Sequence, residues 1–292
     1  MRTDQEKQPA SHVRWVECPR DAWQALPGFI PTEQKIAHLQ GLLDAGFRDL
    51  DAGSFVSHRA VPQMADSEEV FAGLSVPKDA SLLAIVANER GVERALEAPN
   101  VTAVGYPLSV NETFQVRNSG MNLEQSWEFL TGLVERARTA ELELVVYLSM
   151  GFGNPYGEPW EAGDLARAAE RLSALGVRRL ALADTIGNAT GELLEEVLGV
   201  VEWPGELGLH LHSRPGSWEP LLEAAWRHGV RWFEGALSGL GGCPFAGDEL
   251  VGNLPTEKVL PWLAARAGID VDLRKLPDLA REARELAAHP TG

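Results

Sequence analysis

The chain has 292 residues, 45% of them hydrophobic, with 26 Lys and Arg set against 42 Asp and Glu for a formal charge of -16. That apolar share supports a sizeable core, while the acidic excess repels polyanions and argues against nucleic acid and an anionic membrane surface as partners. Two cysteines, Cys18 and Cys243, exclude a disulfide scaffold and a multi-thiolate zinc site. In chain order, His12 to Glu17 reads as a strand, Thr32 to Ala45 as a helix and Phe47 to Asp51 as a strand. A polar loop and a helix near Asp66 to Phe71 follow. Ser81 to Ala87 is a strand, Glu89 to Glu97 a helix, Val101 to Tyr106 a strand and Leu123 to Thr139 a helix. Four more strands are expected at Leu142 to Leu148, Arg178 to Ala183, Glu206 to Leu211 and Arg231 to Ala236. Helices at Ala162 to Leu175, Glu192 to Val201 and Trp218 to His228 lie between them. The assignments rest on apolar runs, β-branched content and changes of period.

Glycines in AGF (45–47), LGV (175–177) and HGV (228–230) precede strands, as where a helix ends in a left-handed cap. Eight βα units over about 250 residues predict an α/β fold, a closed (β/α)8 TIM barrel. An open doubly wound sheet is the competitor, but no GxGxxG follows the first strand. The whole chain, 1–292, reads as one catalytic domain with a core of about 12–254 and a helical C-terminal extension of about 255–292. MRTDQEKQPASH has no apolar centre and no run approaches a membrane span, so a cytoplasmic protein is expected.

Barrel enzymes place their chemistry at the C-terminal ends of strands, and several unusual polar residues fall there. His210 and His212 in HLH occupy alternate positions of strand seven and so point to one face. Two histidines alone do not fill an ion's shell. CPRD brings Arg20 and Asp21 to the end of strand one, and LDAGSF brings Asp51 to the end of strand two. The glycine-rich segment GLGGCPFAGDELVGN after strand eight carries Cys243, suited to proton transfer, and Asn253, suited to donate an amide oxygen. Asp21, His210, His212 and Asn253 together form a mixed nitrogen and oxygen set. It suits a divalent metal ion, Mg2+ or Mn2+, better than structural zinc.

With these residues in view, the chain resembles the hydroxymethylglutaryl-CoA lyases, within the wider group of metal-dependent TIM-barrel lyases and Claisen-type synthases. The matching stretches are VECPRDAWQ (16–24), SFVSHRAVPQMAD (54–66), NETF (111–114), DTIG (184–187), HLH (210–212) and GLGGCP with the later GN and TE (239–257). The resemblance implies that Asp21, His210, His212 and Asn253 hold the metal. It also implies that Arg20 faces the thioester oxygen, that His210 takes part in catalysis, and that Cys243 transfers a proton from a mobile loop. Asp51 stands where the lyases usually have Glu. The implied reaction is a retro-Claisen cleavage of 3-hydroxy-3-methylglutaryl-CoA, or a related 3-hydroxyacyl-CoA, to acetyl-CoA and acetoacetate or a related oxo acid. An acyl-CoA partner and a homodimer go with the resemblance. The alternative within the group is a condensing acyltransferase that uses acetyl-CoA and a 2-oxo acid, and a barrel without activity is a further one.

The sequence departs from the family pattern at Cys18 and Trp23 (CPRDAWQ for GPRDGLQ), at Asp51, at Ser213 after the second histidine, and at GFGNPYGEPW (151–160) in place of a CPY loop. Trp23, beside Asp21, is expected to reshape the pocket. Asn111, Glu112, Thr185 and Arg214 are candidates to contact substrate. Because the overall charge is negative, an acyl-CoA also requires a local cationic patch at the barrel mouth.

Overall fold

In a computed structural model, residues 12–242 and 251–290 are described. Eight parallel strands close into a barrel in sequence order: β1 Arg14–Glu17, β2 Asp49–Ser54, β3 Ser81–Ile85, β4 Ala103–Ser109, β5 Glu143–Ser149, β6 Arg179–Ala183, β7 Glu206–His210 and β8 Trp232–Gly235. Closure is made by the β1–β8 ladder, which runs from Arg14 opposite Trp232 to Glu17 opposite Gly235. The (β/α)8 expectation is thus met. The period of two sorts the side chains. Leu82, Val146, Leu148, Leu180, Leu209 and Phe233 point out into the helix layer. Val16, Leu83, Ile85, Val145, Tyr147 and Trp232 fill the lumen. Gly208 on β7 makes room for Trp232, because a Cβ there would overlap the indole.

The helices are α1 Pro19–Gln24, α2 Thr32–Asp44, α3 Ser67–Ala72, α4 Glu89–Glu97, α5 Glu112–Ser119, α6 Leu123–Thr139, α7 Ala162–Ala174, α8 Gly191–Val200, α9 Trp218–Arg227, α10 Thr256–Ala264 and α11 Leu276–Ala288. The last two form the expected C-terminal extension. α11 lies along α2: Lys275 donates to Asp44 O at 2.8 Å, and His38 meets Glu282 at 3.3 Å. No described helix is long and apolar enough to cross a membrane.

Two differences from the sequence reading bear on the site. The short helices α1 and α5 were not anticipated, since six and eight residues carry too little periodicity. Strand β2 runs on to Ser54, with an irregularity between Asp51 and Gly53, so Asp51 sits inside the strand. Gly53 hides this extension in the sequence. It is required because a Cβ would strike Phe71 of α3.

At the N-terminal end the lumen is closed by charge. Arg14 meets Glu206 at 3.1 Å and Glu143 at 3.8 Å and also pairs with Asp49. Arg179 meets Glu206 at 3.2 Å and pairs with Glu143. The Arg14 guanidinium also covers the Trp232 ring at 5.3 Å.

Candidate active site

The opposite, C-terminal end gathers the unusual polar residues. Pro19 starts α1 directly after β1 and turns Arg20 and Asp21 toward the lumen. Nε of Arg20 donates to both oxygens of Asp51, at 3.1 and 3.0 Å, and Nη2 donates to Asp51 as well. Nη1 donates to Asp21 at 3.2 Å and to Gln24 at 3.0 Å. Gln24 in turn donates to Asp21 Oδ1 at 2.6 Å. Beyond β8, a backbone bridge pairs His212 with Asn253, and Ser213 N donates to Gly252 O at 2.8 Å. This places Asn253 against Asp21, to whose Oδ2 its Nδ2 donates at 2.6 Å. The same amide donates to Leu240 O at 2.8 Å, so its other atom, Oδ1, is the one left to accept a hydrogen bond or ligate a cation.

His210 and His212 enter from β7 with ring centroids 5.2 Å apart. Nδ1 of His210 is held by Glu234 of β8 at 2.8 Å, and the Tyr147 hydroxyl donates to the other Glu234 oxygen at 3.2 Å. Neither ring nitrogen of His212 has a hydrogen-bond partner, although both are buried, and the neighbouring Thr185 backbone does not complete a bond with it. Ligand atoms of Asp21, His210 and His212 lie within 4.8 Å of one another. A second trio, Cys18, His210 and Glu234, is equally close. There, however, Glu234 is already bonded to His210, and burial together with nearby carboxylates pushes the Cys18 thiol up, which keeps it protonated.

Charge follows the same geometry. Burial raises Asp21, but the positive charge of Arg20 and the two imidazoles outweighs it and leaves the carboxyl at about 2. Burial pushes Asp51 up to about 6 against the pull of Arg20. It also takes Asp184 to about 6, although the backbone N–H groups of Asn188 and Ala189 donate to it at 2.9 and 3.0 Å. His212 falls to about 4 because it is buried beside His210. His210 is raised, since Glu234 outweighs its desolvation. An anionic Asp21 and a neutral His212 in one space, with the unpartnered amide oxygen of the adjoining Asn253, form a donor set that fits a divalent cation. The His210–Glu234 bond behind it is the outer support such ligands normally have.

These groups open into a cavity lined by Arg20, Asp21, Thr185, His210 and His212 among the expected residues. Thr185 Oγ1 accepts from Met150 N at 2.9 Å and is held at the wall. Other expected residues lie elsewhere. Asp51 is behind Arg20, out of the lining. Trp23 is 1% exposed and packs near His38 in the helix layer, centroids 5.9 Å apart, so it does not narrow the cavity. Asn111 caps α5, accepting from Phe114 N at 2.8 Å, and donates to Glu158 at 2.6 Å. Glu112 accepts from Leu123 N at 3.0 Å. Arg214 is exposed, and Ser213 is buried beside His212. Cys243 lies outside the described residues. The sequence reading missed Gln24, Glu234 and Tyr147. A buried-strand acid in RWFEG was the available signal for Glu234, and the final residue of the matching stretch VECPRDAWQ was that for Gln24; Tyr147 carried none.

Residues 12–282 match the HMGL-like family profile. The chain belongs to the HMGL-like family. A hydroxymethylglutaryl-CoA lyase of Bacillus subtilis is 32% identical over 93% of this chain and 92% of its own length. A 3-hydroxy-3-isohexenylglutaryl-CoA/hydroxy-methylglutaryl-CoA lyase of Pseudomonas aeruginosa is 35% identical over 89% of this chain and 88% of its own. Among solved structures, an HMG-CoA lyase from Acinetobacter baumannii in complex with coenzyme A and 3-methylmalate superposes with a TM-score of 0.87. It is 32% identical and covers 96% of this chain and 92% of that one. As a member of the HMGL-like family the protein is an enzyme of the lyase type, with its polar cluster at the barrel end where that fold carries its chemistry.

Proposed function

We propose that the protein is a divalent-metal-dependent carbon–carbon lyase. Its substrate is 3-hydroxy-3-methylglutaryl-CoA or a related 3-hydroxyacyl-CoA, and its products are acetyl-CoA and acetoacetate or a related oxo acid. The observation that carries this reading is the convergence of Asp21, His210 and His212 on one buried space beside the Asn253 amide, with His212 and Asn253 Oδ1 left without partners. Those four residues would hold Mg2+ or Mn2+, which when bound supplies Lewis-acid polarisation of a substrate oxygen. The protein's own groups do the rest. Arg20, held rigid by Asp51, presents a fixed positive charge at the cavity wall for the thioester oxygen, where negative charge grows as the bond breaks. Glu234 keeps the His210 ring oriented, and Nδ1 shares its proton with that carboxylate. Thr185 and Tyr147 line the cavity within reach of a bound hydroxyl or carboxylate. Cys243 is assigned the proton returned to the departing carbon. The cationic patch that CoA requires is assigned in this reading to His58, Arg90 and Arg94, of which Arg94 is paired with Glu68 at 2.7 Å. An acyl-CoA ligand, a cytoplasmic setting and a homodimer belong to the same reading.

A coupled assay for acetyl-CoA and acetoacetate, run with Mg2+ or Mn2+, should show metal-dependent cleavage. Calorimetry should show divalent-ion binding that His212→Ala removes together with turnover. Unchanged ion affinity in that variant would remove the ligand assignment. Thiol release from acetyl-CoA and a 2-oxo acid, without cleavage, would reassign the enzyme as a condensing acyltransferase.

A further inference from the structure

After β8 the backbone takes a left-handed course. φ is 62° at Ser238, 64° at Gly239, 102° at Gly241 and 128° at Gly242. Glycine adopts such angles without strain, and three of these four positions have it. Ser238 is the fourth, and its Cβ makes the same conformation costly. A residue held there needs support from its surroundings. Ser238 has that support from both helices of the C-terminal extension. Its N–H donates to Glu257 of α10 at 2.8 Å. Its hydroxyl donates to Ala280 O of α11 at 3.1 Å and accepts from Arg284 of the same helix at 2.7 Å. One residue earlier, Leu237 N donates to Glu17 at 2.6 Å.

What this turn carries lies two residues on. Leu240 O accepts from Asn253 Nδ2 at 2.8 Å, beside Asp21, which accepts from the same nitrogen at 2.6 Å. Asp21 is itself a proposed ligand, so Leu240 O is the support that reaches the amide from outside the ligand set. With Nδ2 taken by these two acceptors, Oδ1 is the atom left over. The turn is also fitted closely to the segment that bears Asn253. A Cβ on Gly252 would collide with Gly239 O, and Ala236 N donates to Leu254 O at 3.0 Å. We infer that Ser238 is a positioning residue for the ion. Its bonds to α10 and α11 hold the strained turn, the turn holds Leu240 O on the Asn253 amide, and the amide so held leaves Oδ1 for the ion. This rests on the ion-site reading above. It also gives the C-terminal extension a task, since α10 and α11 act on a ligand through a residue outside the cavity lining.

The test is Mn2+ affinity, measured by calorimetry on the folded, metal-free protein. Ser238→Ala keeps the Cβ and loses the hydroxyl bonds, so the turn relaxes. Affinity should fall about tenfold, as when an outer support of a metal ligand is removed. Ser238→Gly loses the hydroxyl too, but glycine holds the left-handed angle without support. Its affinity should return to within about threefold of the parent protein. A role confined to packing predicts the opposite order, because glycine removes more contact than alanine. Arg284→Met, on the exposed side of α11, removes one anchor and leaves the turn residues in place. It should weaken Mn2+ binding about threefold, and it carries the test should Ser238→Ala fold poorly. Affinity unmoved in Ser238→Ala, or in Arg284→Met where that variant is needed, overturns the positioning role and leaves the ion site standing. So does weaker binding in Ser238→Gly than in Ser238→Ala. No Mn2+ binding by the parent protein, or binding that His212→Ala leaves unchanged, overturns both.

Discussion

Glu234 shows how one buried carboxylate can serve several partners. It accepts from Tyr147 at 3.2 Å and fixes His210 Nδ1 at 2.8 Å, leaving Nε2 of that ring to face the cavity. Glu234→Gln puts an amide where an anion stood and weakens the preference for the tautomer with hydrogen on Nδ1. Divalent-ion affinity measured by calorimetry should fall about 10- to 100-fold, and an unchanged affinity would show that the residue only packs. Glu17 is a second buried acid, outside the cavity. It accepts from Thr256 at 2.6 Å, Leu237 N at 2.6 Å and Trp15 at 3.1 Å, yet burial carries its pKa to about 7. Because the folded pKa lies above the unfolded one, the folded state binds the extra proton. The stability this contributes is present below about pH 4.5 and is lost as the pH rises through 7. Denaturant unfolding between pH 5 and pH 8 should show a fall on the order of 2–3 kcal/mol from this group. Glu17→Gln should flatten that slope, even though it costs stability at every pH by opposing an amide N–H to one of three donors. A slope that persists in the variant assigns it elsewhere.

At the scale of elements, the eight strands and the long helices were legible because each is a sustained pattern of period two or 3.6 bounded by a glycine or a cap. HLH was legible for the same reason: alternate strand positions share a face whatever the neighbours do. Asp51 inside β2 was not, because its strand continues through Ala52, Gly53 and Ser54, residues with low strand preference that packing against Phe71 makes suitable. The helix α5 was hidden by its length and rests on the Asn111 cap. That cap explains why a residue marked for substrate is instead bound to Phe114 N and Glu158. The contacts of Glu234 and Tyr147 join strands distant in sequence, and no local pattern reports them, whereas Gln24 reaches Arg20 and Asp21 within the unforeseen helix α1. Gly208 illustrates the same limit. A glycine in mid-strand reads as a weakness, but here it is the space occupied by Trp232. Gly208→Ala should destabilise the protein by about 3 kcal/mol or more, since the indole has no free direction in a filled lumen. A loss within about 0.5 kcal/mol on denaturant titration would refute this account.

For the whole molecule, the proposed ion joins distant parts of the chain. Asp21 follows the first strand, His210 and His212 come from the seventh, and Asn253 lies beyond the eighth. A ligand set of this span forms only once the barrel has closed, so binding and folding are linked. With free ion at about 100 times its dissociation constant, unfolding should become harder by about 2.7 kcal/mol. The effect should vanish in His212→Ala, and a shift of equal size in that variant would place the ion elsewhere. The charged ring of Arg14, Asp49, Glu143, Arg179 and Glu206 has its own consequence at this scale. Together with Trp232 it fills the far end of the lumen, so among the described residues the cavity opens at the C-terminal end of the strands. Whatever enters the lumen from that end leaves the way it came. If the proposed cleavage holds, both products therefore leave by the end at which the substrate came in.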